Sequence, residues 1–469
     1  MNKEQDSKSA AKGMDRREFI QSTAVVGAGL ALNPVVLGQT DAGKPDDINL
    51  ALIGLGEQCS RLVDDAILKT RMYQTEGIRF KAVCDIWPYH LKRRSGILKA
   101  YKQDVSAYEN YEEMLAKEKD LDAVIIATPD WLHAPMTIAC LKAGLHVYCE
   151  KEMSNNLEDA KKMVETARQT GKLLQIGHQR RSNPRYQAAR KLIREHRLLG
   201  KLLNINAQWN RSVAGHKVPL PDKKIWIDEA SLKKYGYGSM NEMVNWRWYE
   251  KFGGGPLGDL GSHQIDIFNW FLGDVKPKSV MASGGRDYYK YEQNENVMAI
   301  YDYQTEQGSV RAFYQVLNTT CWGTYGQYYE TFMGDIGTLL ISERAGDNNN
   351  GWIFLEDYAR ADEDVVKRWN NCIRMKLVGG EYELPPALKD KTILVLGGSA
   401  VISSHPLLRK LNEAVHHPHL KNFFDAIRGR ARLNCPGEVG YETAAAVLKA
   451  NEAIKQGKKL EFKPEDFKV

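Results

Sequence analysis

Between residues 48 and 176 short apolar runs alternate with helix-length segments. The runs Ile48 to Ile53, Phe80 to Cys84, Leu121 to Ala127, Leu145 to Cys149 and Lys172 to Ile176 read as strands. The segments Arg61 to Tyr73, His133 to Ala143 and Leu157 to Gln169 read as helices between them. Strands separated by helices of about 10–15 residues predict a parallel, doubly wound sheet. Such a sheet takes its ligands outside the carboxyl ends of the strands.

Those ends carry distinctive residues. Gly54-Leu55-Gly56-Glu57-Gln58-Cys59 joins the first strand to the first helix. Glycines there let backbone N–H groups approach a pyrophosphate at a helix N-terminus, so Gly54 and Gly56 are candidate cofactor contacts. Cys59 stands where a third glycine is usual and is still small. Asp85 ends the second strand, where a carboxylate accepts from both ribose hydroxyls and repels a 2′-phosphate. That favours NAD over NADP, although Lys92, Arg93 and Arg94 downstream keep NADP open. Thr128-Pro129 and Glu150-Lys151 end the next strands, which sets Lys151 near the position of a nicotinamide ring.

A second segment, residues 253–266, reads GGGPLGDLGSHQID. Its glycines and proline oppose a helix up to about Pro256, and Asp259 is a plausible N-cap. His263 then lies one turn on, on the same face, a pairing suited to proton transfer. The plainer alternative is a glycine-rich turn, a cap and a packed histidine. Just before it, Asn245-Trp246-Arg247-Trp248-Tyr249 offers an aromatic face and a guanidinium to a sugar ring, or packs as a helix end. Leu203 to Asn210 alternates apolar and amide residues, and Met298 to Tyr303 and Val310 to Val316 read as further strands. One face of that sheet is buried; the other is polar but uncharged, open to solvent, to sugar hydroxyls or to a sister subunit.

Composition excludes some classes. The net charge is +6 with the signs interspersed, which gives no nucleic-acid footprint. The seven cysteines have no paired or zinc-like spacing, so buried thiols and no metal are expected. At the N-terminus Asp15-Arg16-Arg17-Glu18-Phe19-Ile20 precedes the apolar stretch Ala24 to Leu32. This resembles a twin-arginine (Tat) export signal and predicts a periplasmic protein without a spanning helix in its mature form.

Taken together and in order, the motifs resemble the Gfo/Idh/MocA family of sugar and polyol oxidoreductases over residues 48–463. The resemblance rests on the Gly54/Gly56 loop, Asp85, Ala127-Thr128-Pro129 with His133, Glu150-Lys151, Gly177-His178-Gln179-Arg180-Arg181 and the 253–266 segment, with His419 to Arg428 near the C-terminus. Behind the Tat signal and linker over 1–45, it implies a Rossmann dinucleotide-binding domain over 46–176 and an α/β domain with a large open, mainly antiparallel sheet over 177–469. It implies a catalytic lysine at Lys151, a catalytic pair at Asp259 and His263, and homo-oligomers formed through the open sheet. His133 and Glu150 join the candidate cofactor contacts; Arg180, Trp246 and Arg247 join His263 as candidate substrate contacts. One departure stands out. The family usually has proline after the lysine, often with a cis peptide, whereas Glu152 follows here. A cis bond before a non-proline residue costs about 2.5–4 kcal/mol, so a trans bond is expected.

The expected activity is hydride transfer between a secondary hydroxyl of a sugar, polyol or glycoside and NAD. His263 would accept the hydroxyl proton, with the ordinary imidazole value of about 6.5. Asp259 would orient His263 or bind substrate, and Lys151 would stabilise the developing alkoxide. Export predicts a tightly held cofactor, regenerated in place by a second substrate in a ping-pong cycle resembling that of glucose–fructose oxidoreductase. The alternatives are an NAD-dependent glycosidase working by oxidation, elimination and re-reduction, and a non-catalytic sugar sensor.

Overall fold

The computed structural model describes residues 47–211, 219–289, 291–320, 328–343, 351–356, 362–379, 403–409 and 411–469. The twin-arginine segment lies outside the described residues.

The first sheet has six strands: β1 (Ile48–Ile53), β2 (Ile78–Cys84), β3 (Ser106–Tyr108), β4 (Ala123–Ile126), β5 (His146–Cys149) and β6 (Leu174–Ile176). They are all parallel in the order β3-β2-β1-β4-β5-β6, with the order reversing at β1. Strand β1 shows why its sequence is apolar throughout. Ala51 and Ile53 pack into one core with Val124, Val147 and Cys149, whereas Leu50 and Leu52 pack into the opposite one with Val63, Ile67 and Phe80. A strand buried on both faces has no polar side to present. The helix Pro88–Ala100 and edge strand β3 lie between predicted elements and were invisible to apolar periodicity. The helix after the glycine loop also differs from expectation: an α-turn, Glu57–Ser60, runs into a π-helix, Arg61–Leu68.

Among the described residues the second sheet has nine strands in the order β14-β13-β12-β11-β7-β10-β9-β8-β15. These are β7 (Leu202–Asn210), β8 (Pro277–Gly285), β9 (Asn296–Thr305), β10 (Gly308–Leu317), β11 (Tyr328–Gly334), β12 (Gly337–Ile341), β13 (Trp352–Leu355), β14 (Ser403–Pro406) and β15 (Leu460–Glu461). Among the described residues only the β7–β10 pairing is parallel. Ile205 and Ala207 of β7 face the core with Phe268, Phe271 and Phe332, as the alternation predicts. The amide side is less open than expected: Gln208 and Asn210 are buried, their oxygens accepting from Gln315 and from the Leu317 N–H.

Chain order does not follow the cores. The helix His417–Ile427 sends Leu420, Phe423 and Phe424 into the core shared with β1 and β2, and Tyr441 and Ala444 of Gly437–Gln456 join the core on the other side. Residues 417–469 thus tie the first sheet to the second, and His419 links β6 to residues 177–183: its carbonyl accepts from Gln175 Nε2 and its Nδ1 bonds the Ser182 hydroxyl. The six described cysteines are all buried and free, as expected.

Candidate active site

The carboxyl ends of β1, β2, β4 and β5 form one rim. Gly54 has φ +81°, and a Cβ there would lie 2.7 Å from Thr128 Cγ2 and 2.8 Å from the Ala127 carbonyl. Only glycine permits that turn and that approach. At Gly56 a Cβ would meet nothing nearer than His90 Cε1 at 3.9 Å, which leaves open the approach to the following helix. Asp85 accepts from the Leu55 N–H at 2.7 Å and the Trp87 N–H at 2.8 Å, with His90 Nδ1 at 3.2 Å. It therefore ties the glycine loop to the end of β2. Pro129 caps the helix Asp130–Lys142, and the Thr128 hydroxyl is buried without a partner.

His133 faces inward. Its Nδ1 lies 2.6 Å from the Glu152 carbonyl and its Nε2 2.8 Å from that of Thr128, one of the two donating an N–H, and burial pushes the ring down to about 4. It clamps two strand-end loops together, so its placement differs from that of the cofactor contact expected. Glu150 is buried too, accepting from the Lys151 N–H and the Tyr148 hydroxyl, and burial raises it. A Cβ on Gly177 would fall 2.8 Å from the Glu150 carboxylate, which is why a glycine follows β6.

The Lys151–Glu152 peptide is cis, contrary to the trans bond expected. Local propensity weighs only the two residues. In the fold the Glu152 carbonyl faces His133, Oε1 accepts from the Met153 N–H at 2.8 Å, and the side chain is fully buried. Nor does Glu152 pair with a cation: Oε2 has no partner, and burial pushes the carboxyl up to about 8.

The second domain brings Asp259 and His263 to the same rim. Asp259 is not an N-cap. Pro256 precedes a π-turn, Leu257–Gly261, which runs on into the helix Ser262–Phe271. The wider turn directs Asp259 away from His263 and toward three cations. Lys151 Nζ lies 3.5 Å from Oδ1 and also donates to the Asp259 carbonyl; Arg247 Nε donates to Oδ1 at 3.0 Å; Arg211 Nη2 lies 3.4 Å from Oδ2. His263 makes no bond to Asp259. It lies 5.6 Å, ring to ring, from Trp209, and its Nδ1 is buried without a partner. Burial, reinforced by Lys151 and Arg180, holds it well below the ordinary imidazole value. It is a neutral acceptor at neutral pH and not the unperturbed histidine expected.

Arg180 corrects another expectation. It is 1% exposed and pairs with Glu330 and Glu343, leaving Nη2 without a partner, with its guanidinium 5.6–5.8 Å from the rings of Trp209, Tyr186 and Tyr328. It is a buried network residue and does not line the rim. Arg247 does: its side chain is 39% exposed and stacks 4.3 Å over Trp246. Sequence reading missed Arg211, which carries no motif and only follows β7. It also missed Asp130, which accepts from the Gly254 N–H at 3.2 Å and is pushed by burial to about 6. An acid directly after Thr128-Pro129, at a strand end, was the available signal for Asp130.

The glycine turn, the open approach at Gly56, the carboxylate of Asp85 and the unpartnered Thr128 hydroxyl fit a dinucleotide along this rim. Fold and rim define a Rossmann protein whose second domain brings charged and imidazole side chains to the same rim. Residues 48–178 match the model of the oxidoreductase-family NAD-binding Rossmann fold, and residues 229–462 that of the same family's C-terminal α/β domain. The chain belongs to the Gfo/Idh/MocA oxidoreductase family. It is 30% identical over 179 residues to glycosyl hydrolase family 109 protein 2 of Shewanella sp. (strain ANA-3), covering 34% of this chain and 38% of that one. It is 28% identical over 236 residues to D-glucoside 3-dehydrogenase of Escherichia coli K12, covering 50% and 57%. The chain thus spans less than two thirds of either relative. The fold matches the WlbA dehydrogenase of Bordetella pertussis, crystallised with NADH and UDP-GlcNAcA, with a TM-score of 0.61 at 18% identity over 89% of this chain and 98% of that one.

Proposed function

We propose that this chain transfers a hydride between a secondary hydroxyl of a sugar, polyol or glycoside and a tightly held NAD. The observation that carries this reading is the meeting of Lys151 and Asp259, from two domains, beside the neutral imidazole of His263 at the carboxyl rim of the NAD-binding sheet. When bound, the nicotinamide supplies a hydride acceptor. His263 takes the hydroxyl proton on Nε2, because Nδ1 is sealed in the protein. The Lys151 ammonium, held by Asp259, stabilises the negative charge that grows on the substrate oxygen. Arg247 and Trp246 offer a donor fork and an aromatic face at the exposed side of the site. Cofactor reduction followed across a panel of monosaccharides and glycosides, with product mapping, tests the reading. His263→Ala should abolish turnover and leave cofactor binding intact; normal turnover by that variant would overturn the assignment.

Two further features belong to the same proposal. The twin-arginine pattern at Arg16-Arg17 supports export to the periplasm with the cofactor already bound. Stoichiometric nicotinamide in the purified exported protein is the expected result. The open sheet face exposes Met281, Met298, Ile300 and Leu203, and Met281, Ile300 and Phe313 lie in register across three strands. That apolar row supports a homo-oligomer formed through this face, to be tested by sedimentation of an Ile300→Lys variant.

A second reading is favoured by the partial match to glycosyl hydrolase family 109 proteins: transient oxidation, elimination of the aglycone and re-reduction. Aglycone release with no net change in nicotinamide would select it.

A further inference from the structure

The segment after β6 supplies a side chain that the proposed reaction leaves unused. His178 follows Gly177 and heads the short 3-10 turn Gln179–Ser182. It is 1% exposed, and neither ring nitrogen has a hydrogen-bond partner. Its ring lies 6.2 Å from that of His263, at 87°. Three buried imidazole nitrogens, both of His178 and Nδ1 of His263, are thus unpartnered in two adjacent rings. Each such group costs roughly 1–3 kcal/mol unless it finds a partner. No direct bond joins the two rings, and one bridging water would give both a partner.

The surroundings of the two rings differ in charge. Burial is the largest influence on His263; after it come the charges of Lys151 and Arg180 and the imidazoles of His178 and His416, all of which oppose a proton. His178 faces Asp266 from the helix Ser262–Phe271, besides Arg180 and Arg181 from its own turn, Lys151 from the loop after β5, and His419 from the helix His417–Ile427. Of the two rings, only His178 has a carboxylate among its strongest neighbours.

We propose that His178 is a positioning residue for His263: through one bridging water it accepts from Nδ1–H of His263, fixing the tautomer whose Nε2 is free to take the substrate proton. The inference rests on the dehydrogenase reading for its catalytic consequence, but not for its geometry. In the step itself the substrate O–H bond breaks and its proton goes to Nε2. The C–H hydride leaves for the nicotinamide dinucleotide, and the C–O bond becomes a carbonyl. The imidazolium of His263 keeps Nδ1–H directed at the water and His178, and the proton on Nε2 later returns to solvent.

The test uses the full chain with 15N-labelled histidine. Long-range 1H–15N spectra should show His263 protonated on Nδ1 in the parent protein. In His178→Phe the proton should move largely to Nε2, and in His178→Gln, which still accepts a hydrogen bond, it should stay on Nδ1. With the sugar that reduces cofactor fastest, His178→Phe should lose about 10- to 100-fold in kcat with little change in KM, and His178→Gln should recover most of it. An unchanged His263 tautomer in His178→Phe overturns the proposal, even where activity falls. Loss of all activity in His263→Ala, alongside an unmoved tautomer in His178→Phe, would overturn this inference and leave the dehydrogenase reading standing.

Discussion

Lys151 Nζ, on the loop after β5, lies 3.5 Å from Asp259 Oδ1, on a π-turn of the other domain, and both side chains are nearly buried. The contact is also a link between domains. Lys151→Met removes the ammonium while keeping most of the stem. We expect a loss of about 10²–10³-fold in kcat, the range for removing a donor aimed at a developing oxyanion. Single-turnover cofactor reduction measures it; a variant within threefold of the parent would place the charge stabilisation elsewhere.

Arg180 and the pair Glu330–Glu343 form a buried ion-pair network. Arg180→Ala leaves two carboxylates buried without their cation. A destabilisation of about 3–5 kcal/mol is expected, read as a lower urea midpoint. A substrate contact would instead raise KM with the midpoint unmoved.

At Gly54 a Cβ has no room, and φ is +81°. Gly54→Ala should push the loop off Ala127 and Thr128, weakening NAD binding more than it weakens folding. Calorimetric titration with NAD tests this: the affinity should fall about tenfold or more, with a stability loss of about 1 kcal/mol or more.

Glu152 gives stability a pH signature. Its folded-state value is about 8, against 4.5 for an ordinary glutamate. Between those values the folded chain keeps a proton that the unfolded chain releases, so this group's contribution falls as pH rises through the window. Glu152→Gln should therefore gain on the parent steadily from pH 4.5 to 8 and no further above it. Buried His133, His178 and His419, near 4 in the fold against 6.5 free, act in the opposite sense. Their contribution is complete above 6.5 and is lost as pH falls toward 4, equally in both proteins. The difference between two chemical-denaturation series thus isolates Glu152.

Much of this was legible in the residues. The apolar runs at β1, β2, β4 and β5 fixed the first sheet, because strands buried on both faces leave no polar period to misread. The edge strand Ser106–Tyr108, short and half polar, had no such signal. Gly54 and Asp85 were readable because a tight turn and a strand-end carboxylate are local requirements.

The amino-acid sequence determined the alternation of strands and helices, the glycine turn, and which side chains stand at strand ends. These are short-range matters of periodicity, backbone freedom and residue type. Tertiary structure decided the partners. Asp259 and His263, four residues apart, are separated by a π-turn that gives the first to Lys151, Arg211 and Arg247 and leaves the second against Trp209 and His178. Arg180 was drawn into a buried ion pair, and the peptide after Lys151 was set cis among contacts from His133 and Met153. Burial and charge are sums over residues far apart in the chain, so no local pattern carries them.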